Sequence, residues 1–401
     1  MTIDLSDKLS SKVLPESISQ TKSSSLFDQF ADWRNRVIAS AKFQRWAARF
    51  PLTRWIVRRQ ASALFDLMAG FVYSQVLLAC VQIKLFDLLG SGPIAFSDLQ
   101  KKIDLPESGL KRLLSAAVAI RLLEKRPNEF YALGMLGAPL VGNRALTDMI
   151  LHHSDFYKDL SDPIALLRGD AERAHLAEYW PYISNQKQEA PEALSAQRVA
   201  NYSELMAHTQ ALVTAEVLDA YSFNKHHRLL DIGGGQGAFV SELAKRYPKL
   251  KCTIFDLPGV AELANVYFKS AQLDSQLNAQ GGNFFQDPIP RGFDMATLIR
   301  VIFDHDDVRV RLLLANIYKA LEPGASLLLA EPMAGTPGQA AMGDAYFGFY
   351  LLAMGRGRPR TQHEISQMLA DSGFEEIRLL PSAIPLNAQI LHCKKPIYSV
   401  T

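Results

Sequence analysis

The stretch Leu229–Gly237, LLDIGGGQG, decides the fold. Leu229, Leu230 and Ile232 around Asp231 read as a buried strand. GGGQG then turns the chain, and a helix follows from Ala238 to Tyr247. Glycines in such a turn permit φ > 0 and let a ligand approach the main chain, and the helix start beyond it offers free N–H groups. The dinucleotide fingerprint G-x-G-x-x-G does not fit, because Ala238 stands where its third glycine belongs. No Lys-Ser or Lys-Thr follows, so the turn is not a phosphate P-loop either.

Outward from this turn the chain alternates strand and helix. RLLDI is followed by a second strand over 251–255, ending at Asp256. An acid at that carboxyl edge, beside a glycine turn, can accept both hydroxyls of a ribose. GGNFF at 281–285 precedes a strand at 293–299, and another follows at 326–331. The alternation predicts a parallel, doubly wound α/β sheet. At the end, EEIRLL and AQILHC lie close together, with Pro381 and Pro385 between them, and can pair only antiparallel. That terminal pair points to the class I methyltransferase version of the Rossmann-like sheet rather than to a dehydrogenase.

With 401 residues, two domains are expected, and 48 % apolar residues can fill their cores. Lys plus Arg number 43 against 41 Asp plus Glu, a balance that speaks against a general nucleic-acid binder. Cys80, Cys252 and Cys393 are scattered without metal spacing and read as reduced thiols of a cytoplasmic protein, so no metal is expected. Residues 1–26 are polar and Ser-rich, a disordered tail without the apolar core of a signal peptide. No uncharged apolar run reaches the ~18 residues of a spanning helix.

Residues 27–220 read as a mostly helical domain and 221–401 as the cofactor domain. The segment 61–89 is apolar on most faces, so it must be buried in a core or against a partner. Ser97 is placed as the N-cap of a helix over DLQKKIDL. Pro106 starts a second helix whose Leu110, Leu113, Leu114, Ala117 and Val118 share a face. LLEKRPNEFYAL then makes two short strands around a Pro-Asn turn, completing a winged-helix unit. Its second helix carries only Lys111, Arg112 and Arg121, near its ends, so packing is favoured over DNA reading. Residues 150–220 are read as helical, with a charged, aromatic middle around Trp180.

The motifs LLDIGGGQG, FDLPGV, GGNFFQDPIP, RVIFDHDD, LEPGASLLLAEP and RTQHEISQMLADSGF resemble the small-molecule O-methyltransferases that dimerise through an N-terminal winged-helix domain. ARFPLTRWIVRRQASALFDLMAGFVYSQVLLAC and AEPMAGTPG with GDAYFGFYLLAMGRGRPR resemble, within that family, the hydroxyneurosporene or demethylspheroidene O-methyltransferases of purple bacteria. The resemblance covers roughly residues 30–395. It implies a homodimer that uses S-adenosyl-L-methionine to methylate a tertiary hydroxyl of an acyclic carotenoid. The runner-up is another hydrophobic pigment, a bacteriochlorophyllide methylated on a ring carbon, or a phenol. A cofactor-sensing winged-helix regulator is the distant alternative.

Position by position, the resemblance places Asp231 and Gly233 by the methionine end of the cofactor, with Gly235 in the loop. Asp256 holds the ribose, Leu257 packs near the adenine, and Asn283 and Phe284 flank it. Asn283 stands where the family usually has Asp. Arg300 lies next to the family's usual Lys position, here Ile299. Many plant relatives carry a general-base His in H-D-W-S-D. That His aligns with Phe303, the tryptophan with His305 and the last Asp with Asp307, which is expected to cap the next helix. The Glu that orients the base aligns with Glu331, and a second Glu with Pro359.

The usual base is therefore missing. A tertiary alcohol is far less acidic than a phenol, which ionises near ~10. In-line alignment then supplies much of the rate, and a base collects the proton late. His305 is the candidate. Its other reading is packing under the site, and His152, His153 and His208 are further candidates. Tyr346, Phe347, Phe349, Tyr350 and Met354 around Asp344, with Phe303, are expected to line a long apolar acceptor pocket.

One window remains. Residues 33–59 hold Arg34, Arg36, Lys42, Arg45, Arg49, Arg54, Arg58 and Arg59 among Trp33, Phe43, Trp46, Phe50 and Trp55, with no acid. The window reads either as an arm that packs on a partner subunit or as an interfacial anchor. The second reading expects peripheral attachment to the cytoplasmic face of a photosynthetic membrane.

Overall fold

A computed structural model describes residues 25–169, Leu176, 210–383 and 388–397. The chain forms two compact units, divided between Gln75 and Val76. The boundary placed from sequence at 221 falls inside the second unit.

In the first unit, α1 (Leu26–Ala39) opens on a capping box. The Ser25 hydroxyl accepts from the Asp28 N–H at 3.2 Å, and the Asp28 carboxylate accepts from the Ser25 N–H at 3.1 Å. Ser25 and Leu26, placed from sequence in the polar tail of residues 1–26, thus belong to the start of this helix. The short helix α2 (Ala41–Arg49) carries Trp46, which stacks on Phe50 at 5.0 Å. A long helix, α3 (Arg54–Gln82), follows, with Leu64, Phe65, Leu67, Met68, Phe71 and Val72 exposed. By length and composition α3 could cross a membrane. Asp66 interrupts its apolar run, which is why counting uncharged residues excluded such a helix.

The second unit begins with a winged-helix core. Leu78, Cys80 and Val81 from the end of α3 join Leu85, Phe86 and Leu89 of α4 (Leu85–Leu89) in it. The elements β1 (Ile94–Ala95), α5 (Phe96–Lys102), α6 (Glu107–Ala119), β2 (Leu123–Arg126) and β3 (Phe130–Leu133) follow. The strands pair antiparallel in the order β1-β3-β2. Helix α6 buries Leu110, Leu114 and Ala117, and its Lys111 is tied to Glu107 at 2.6 Å. Ser97 does not cap α5: Ala95 occupies the N-cap, because the strand residue Ala95 leads straight into the helix. Helices α7 (Arg144–Asp159) and α8 (Pro163–Leu167) lead towards the sheet domain. Trp180 and His208 lie outside the described residues.

The strands β4 (Arg228–Ile232), β5 (Lys251–Asp256), β6 (Leu277–Gly281), β7 (Met295–Ile299), β8 (Ser326–Glu331), β9 (Glu375–Leu380) and β10 (Gln389–Lys394) form one sheet. Its order is β6-β5-β4-β7-β8-β10-β9. Strands β4 to β8 pair in parallel, and β10 pairs antiparallel with both β8 and β9. This is the doubly wound sheet with an antiparallel terminal pair that the sequence predicts. Edge strand β6, LNAQG, was missed, because only Leu277 of its five residues is a buried apolar side chain. Helices α9 (Ala238–Arg246), α10 (Pro258–Ser270), α11 (Asp307–Ala320), α12 (Phe347–Ala353) and α13 (Gln362–Asp371) complete the unit. Two apolar cores form around the sheet, one about Leu230, Leu298 and Leu313 and the other about Leu229, Val240 and Ile254.

Candidate active site

Strand order reverses direction of winding at β4, so the carboxyl edge there opens a crevice. Three backbone positions of the loop after β4 have φ > 0: Gly233 (71°), Gly235 (58°) and Gly237 (90°). A Cβ on Gly233 would meet Val301 at 2.9 Å and one on Gly237 would meet Phe268 at 2.5 Å, so both turns are packed tightly from below. Gly235 differs, since nothing lies within 4 Å of its Cβ position. One oxygen of Asp256 accepts from the Gly235 N–H at 2.8 Å and the other from the Leu257 N–H at 2.7 Å. Asp256 is thereby fixed beside the open face of the loop, with Leu257 at the start of α10.

Asp231 is buried. Its Oδ1 accepts from the Thr297 hydroxyl at 2.6 Å, and its Oδ2 has no partner. Burial pushes its carboxyl up to about 7, against a hydrogen bond from Thr297 that pulls it down. An orphaned carboxylate oxygen beside an open glycine loop fits the ammonium of a cofactor's methionine moiety. Farther along the edge, Asn283 Oδ1 accepts from the Phe285 N–H at 3.0 Å in a tight turn, and Phe284 and Phe285 meet edge to face at 4.7 Å.

The turn after β7 is clamped from below. Glu331 Oε1 accepts from the N–H groups of both Val301, at 2.7 Å, and Ile302, at 2.8 Å. Its Oε2 is buried without a partner, and burial raises its carboxyl to about 7. Arg360, fully buried, donates to the Ile302 carbonyl at 2.9 Å and the His305 carbonyl at 2.6 Å. Arg300 enters the turn at φ 58° with its guanidinium 6.0 Å from the Phe303 ring centre. Asp307 is not the cap of α11. Asp306 is, accepting from Arg309 N–H at 2.9 Å, while Asp307 pairs with Arg358 and Arg360 at 2.8 and 2.7 Å. The two arginines draw its carboxylate off the helix end.

His305 is set edge-on to Phe285 at 4.9 Å and to Phe284 at 5.9 Å, with a buried Nδ1 that has no partner. Burial first, then Arg309, lowers its pKa to about 4, so the ring is neutral at pH 7. The structure therefore seats it with the Phe284–Phe285 pair, in the packing position, rather than with the residues around Phe303.

Those residues form one cluster. Phe303, Tyr350 and Met354 are buried together with Phe156 and Leu176, and Tyr346, Phe347 and Phe349 pack against them. Phe303 meets Phe347 edge to face at 6.2 Å, and Tyr346 stacks on Tyr350 at 5.9 Å. Two contacts escaped the sequence reading: His152 Nε2 lies 3.0 Å from the Tyr350 hydroxyl, and His153 Nε2 2.7 Å from the Tyr346 hydroxyl. An adjacent His pair and two tyrosines spaced i, i+4 hold the signal only once α7 and α12 are known to face each other. Burial lowers both histidines, His152 to about 4, so both pairs are neutral. Asp344 does not join the cluster. It is exposed, and its carboxylate accepts from the Gly335 N–H at 3.0 Å, pinning the turn before the π-helical residues Ala341–Tyr346. Among the described residues no three His, Cys, Asp or Glu side chains gather as a metal site would require.

The sheet, the glycine loop with its paired acid, and the winged-helix unit define a class I methyltransferase carrying its own dimerisation module. An O-methyltransferase domain model matches residues 157–375, and an O-methyltransferase dimerisation domain model matches residues 65–143. The chain belongs to the O-methyltransferase family. It is 37 % identical over 361 residues to the demethylspheroidene O-methyltransferase of Cereibacter sphaeroides, which covers 90 % of this chain and 94 % of that one. The corresponding protein of Rhodobacter capsulatus is 36 % identical over 360 residues, with 90 % and 88 % covered. The solved structure of human N-acetylserotonin methyltransferase in complex with SAM has the same fold, with a TM-score of 0.67 at 24 % identity over 84 % of this chain and 98 % of that one.

Proposed function

We propose that the protein transfers a methyl group from S-adenosyl-L-methionine to a tertiary hydroxyl of an acyclic carotenoid, giving a methoxy carotenoid. The observation that carries this is the apolar wall of Phe303, Phe347, Tyr350 and Met354, in which Phe303 takes the position that the resemblance gives to the base of phenol-methylating relatives. Two relatives named for a carotenoid substrate share more than a third of its residues across nearly the whole chain.

When bound, the cofactor supplies an electrophilic methyl group on a sulfonium. Asp256 and Gly235 would hold the ribose, Asp231 would meet the methionine ammonium, and Leu257, Asn283 and Phe284 would border the adenine. Glu331 and Arg360 fix the turn that carries Phe303, so the acceptor is oriented by a rigid apolar surface rather than by charge. The match to a dimerisation domain supports a homodimer as the working form, and the basic, aromatic arm of residues 33–59 attaches it peripherally to the cytoplasmic face of a pigment-bearing membrane.

The test is incubation of the purified protein with methyl-labelled cofactor and a hydroxylated acyclic carotenoid in anionic vesicles. The pigment should gain one labelled methyl per hydroxyl modified. Label that reaches a phenolic acceptor or bacteriochlorophyllide but never the carotenoid would overturn the substrate assignment.

A further inference from the structure

We infer that Asp304 is the group that takes the proton from the acceptor hydroxyl, an inference that rests on the alcohol-methylating reading above. Asp304 follows Phe303 in the 3-10 turn Ile302–Asp304, which is among the most constrained stretches of the second unit. Glu331 holds the N–H groups at its start, Arg360 the carbonyls of Ile302 and His305, and the Arg358 N–H donates to the Phe303 carbonyl at 3.0 Å. Gly357 closes over the same turn, so near that a Cβ there would lie 2.8 Å from the Asp304 Cα. A side chain on so braced a turn is held in place before any substrate arrives.

The charged and titratable groups that face Asp304 come from every neighbouring element. They are Arg300 at the end of β7, Glu331 at the end of β8, and the Tyr350 hydroxyl on α12. Tyr350 is itself anchored by His152 at 3.0 Å, and it belongs to the cluster that contains Phe303. Asp304 thus directly follows the wall residue Phe303 on the turn after β7, and its carboxyl makes no hydrogen bond to another described residue. Desolvation at this partly buried position, with the neighbouring Glu331 adding to it and Arg300 opposing it, holds its carboxyl well above the ordinary range. A carboxyl raised in this direction is a stronger base than a free carboxylate. Glu331 serves a different part: it is sealed from solvent beneath the turn, with one oxygen committed to two backbone donors. His305 cannot take the proton, because it is packed against Phe284 and Phe285 and is a weak base there.

The step balances within the established chemistry. The alcohol oxygen forms the new C–O bond, the electron pair of the breaking S–C bond returns to sulfur, and the O–H proton passes to the Asp304 carboxylate. A cation and a carboxylate are both neutralised, so no net charge is left buried.

The experiment compares wild type, Asp304→Asn and Asp304→Glu for methyl transfer to a hydroxylated carotenoid between pH 5.5 and 9, with cofactor affinity measured by calorimetry. Infrared difference spectra across the same pH range read the protonated carboxyl directly, without turnover. Asp304→Asn should lose at least about a hundredfold in kcat while keeping cofactor affinity, and Asp304→Glu should recover part of it. The rise of wild-type activity with pH should vanish in the Asn variant, together with one titrating carboxyl band. A wild type inactive on carotenoid would sink the functional reading. An active wild type matched by Asp304→Asn, or one whose pH limb survives that change, would sink this inference alone.

Discussion

At the scale of single residues, the site is built from acids whose surroundings make them unlike one another. Asp256 accepts from two loop N–H groups and lies beside the open face of Gly235, poised for two ribose hydroxyls. Asp256→Ala is expected to lose on the order of 2 kcal/mol of cofactor affinity, the worth of charge-assisted hydrogen bonds. Unchanged calorimetric affinity in a folded variant would remove Asp256 from the cofactor site. Asp231 and Glu331 are instead buried with an orphaned oxygen each, and both titrate near 7. Unfolded, they would titrate near ~4. The folded state therefore binds their protons more tightly, and stability falls as pH rises from about 4 through about 7. His152, His305 and His392, each lowered to about 4 by burial, pull the other way. They act only below their unfolded value of ~6.5. Between pH 6.5 and 8 the acids alone remain, so the melting temperature of the cofactor-free protein should drop over that interval. Glu331→Gln, neutral at every pH, should drop less; parallel curves would show that Glu331 does not carry the effect.

At the scale of elements, the legible part of the fold was the part whose physics is local. Apolar runs ending in glycine gave β4 and α9, an acid after a strand gave Asp256, and nearby strands around prolines gave the β9–β10 pair. Edge strand β6 carries little apolar signal of its own, and its pairing with β5 is what makes it a strand. The clamp under the Phe303 turn was not legible, because Arg360 lies 58 positions from the Ile302 carbonyl it holds, and nothing local marks an arginine as buried. Asp304 was passed over for the same reason: its neighbours come from β8 and α12. The clamp makes its own prediction. Gly357 sits at φ 76°, and a Cβ there would lie 2.0 Å from the Phe303 carbonyl oxygen. Gly357→Ala should cost roughly 1–3 kcal/mol in stability from backbone strain, and displacement of Phe303 should raise the KM for the acceptor more than that for the cofactor. Thermal melting and steady-state kinetics check both. Equal melting temperatures would mean that the turn yields without cost, and that the rigidity ascribed to it is not there.

For the whole molecule, the open question is what covers the first unit. Two different surfaces lie along its chain. Leu64, Phe65, Leu67, Met68, Phe71 and Val72 on α3 form an exposed apolar stretch, and the family dimerisation domain begins at residue 65. So large an apolar surface is seldom left bare in a soluble monomer, and a second copy is the partner the family supplies. Residues 33–59 are chemically distinct: Trp33, Trp46 and Trp55 are each more than half exposed, interleaved with eight basic residues. Lys42, Arg45, Trp46, Arg49 and Phe50 line a single hollow. Cations beside tryptophans suit an anionic interface, where each contributes about 1 kcal/mol and salt screens it. If the two surfaces serve two partners, their variants should separate. Leu67→Glu with Phe71→Glu should yield monomers by light scattering yet still sediment with anionic vesicles. Arg45, Arg49, Arg58 and Arg59 all changed to Gln should remain dimeric yet stay in the supernatant, as wild type should with neutral vesicles or in high salt. A fourfold variant that sediments like wild type at low salt would assign the arm to packing within the dimer, and the enzyme would then have to meet its insoluble acceptor by some other surface.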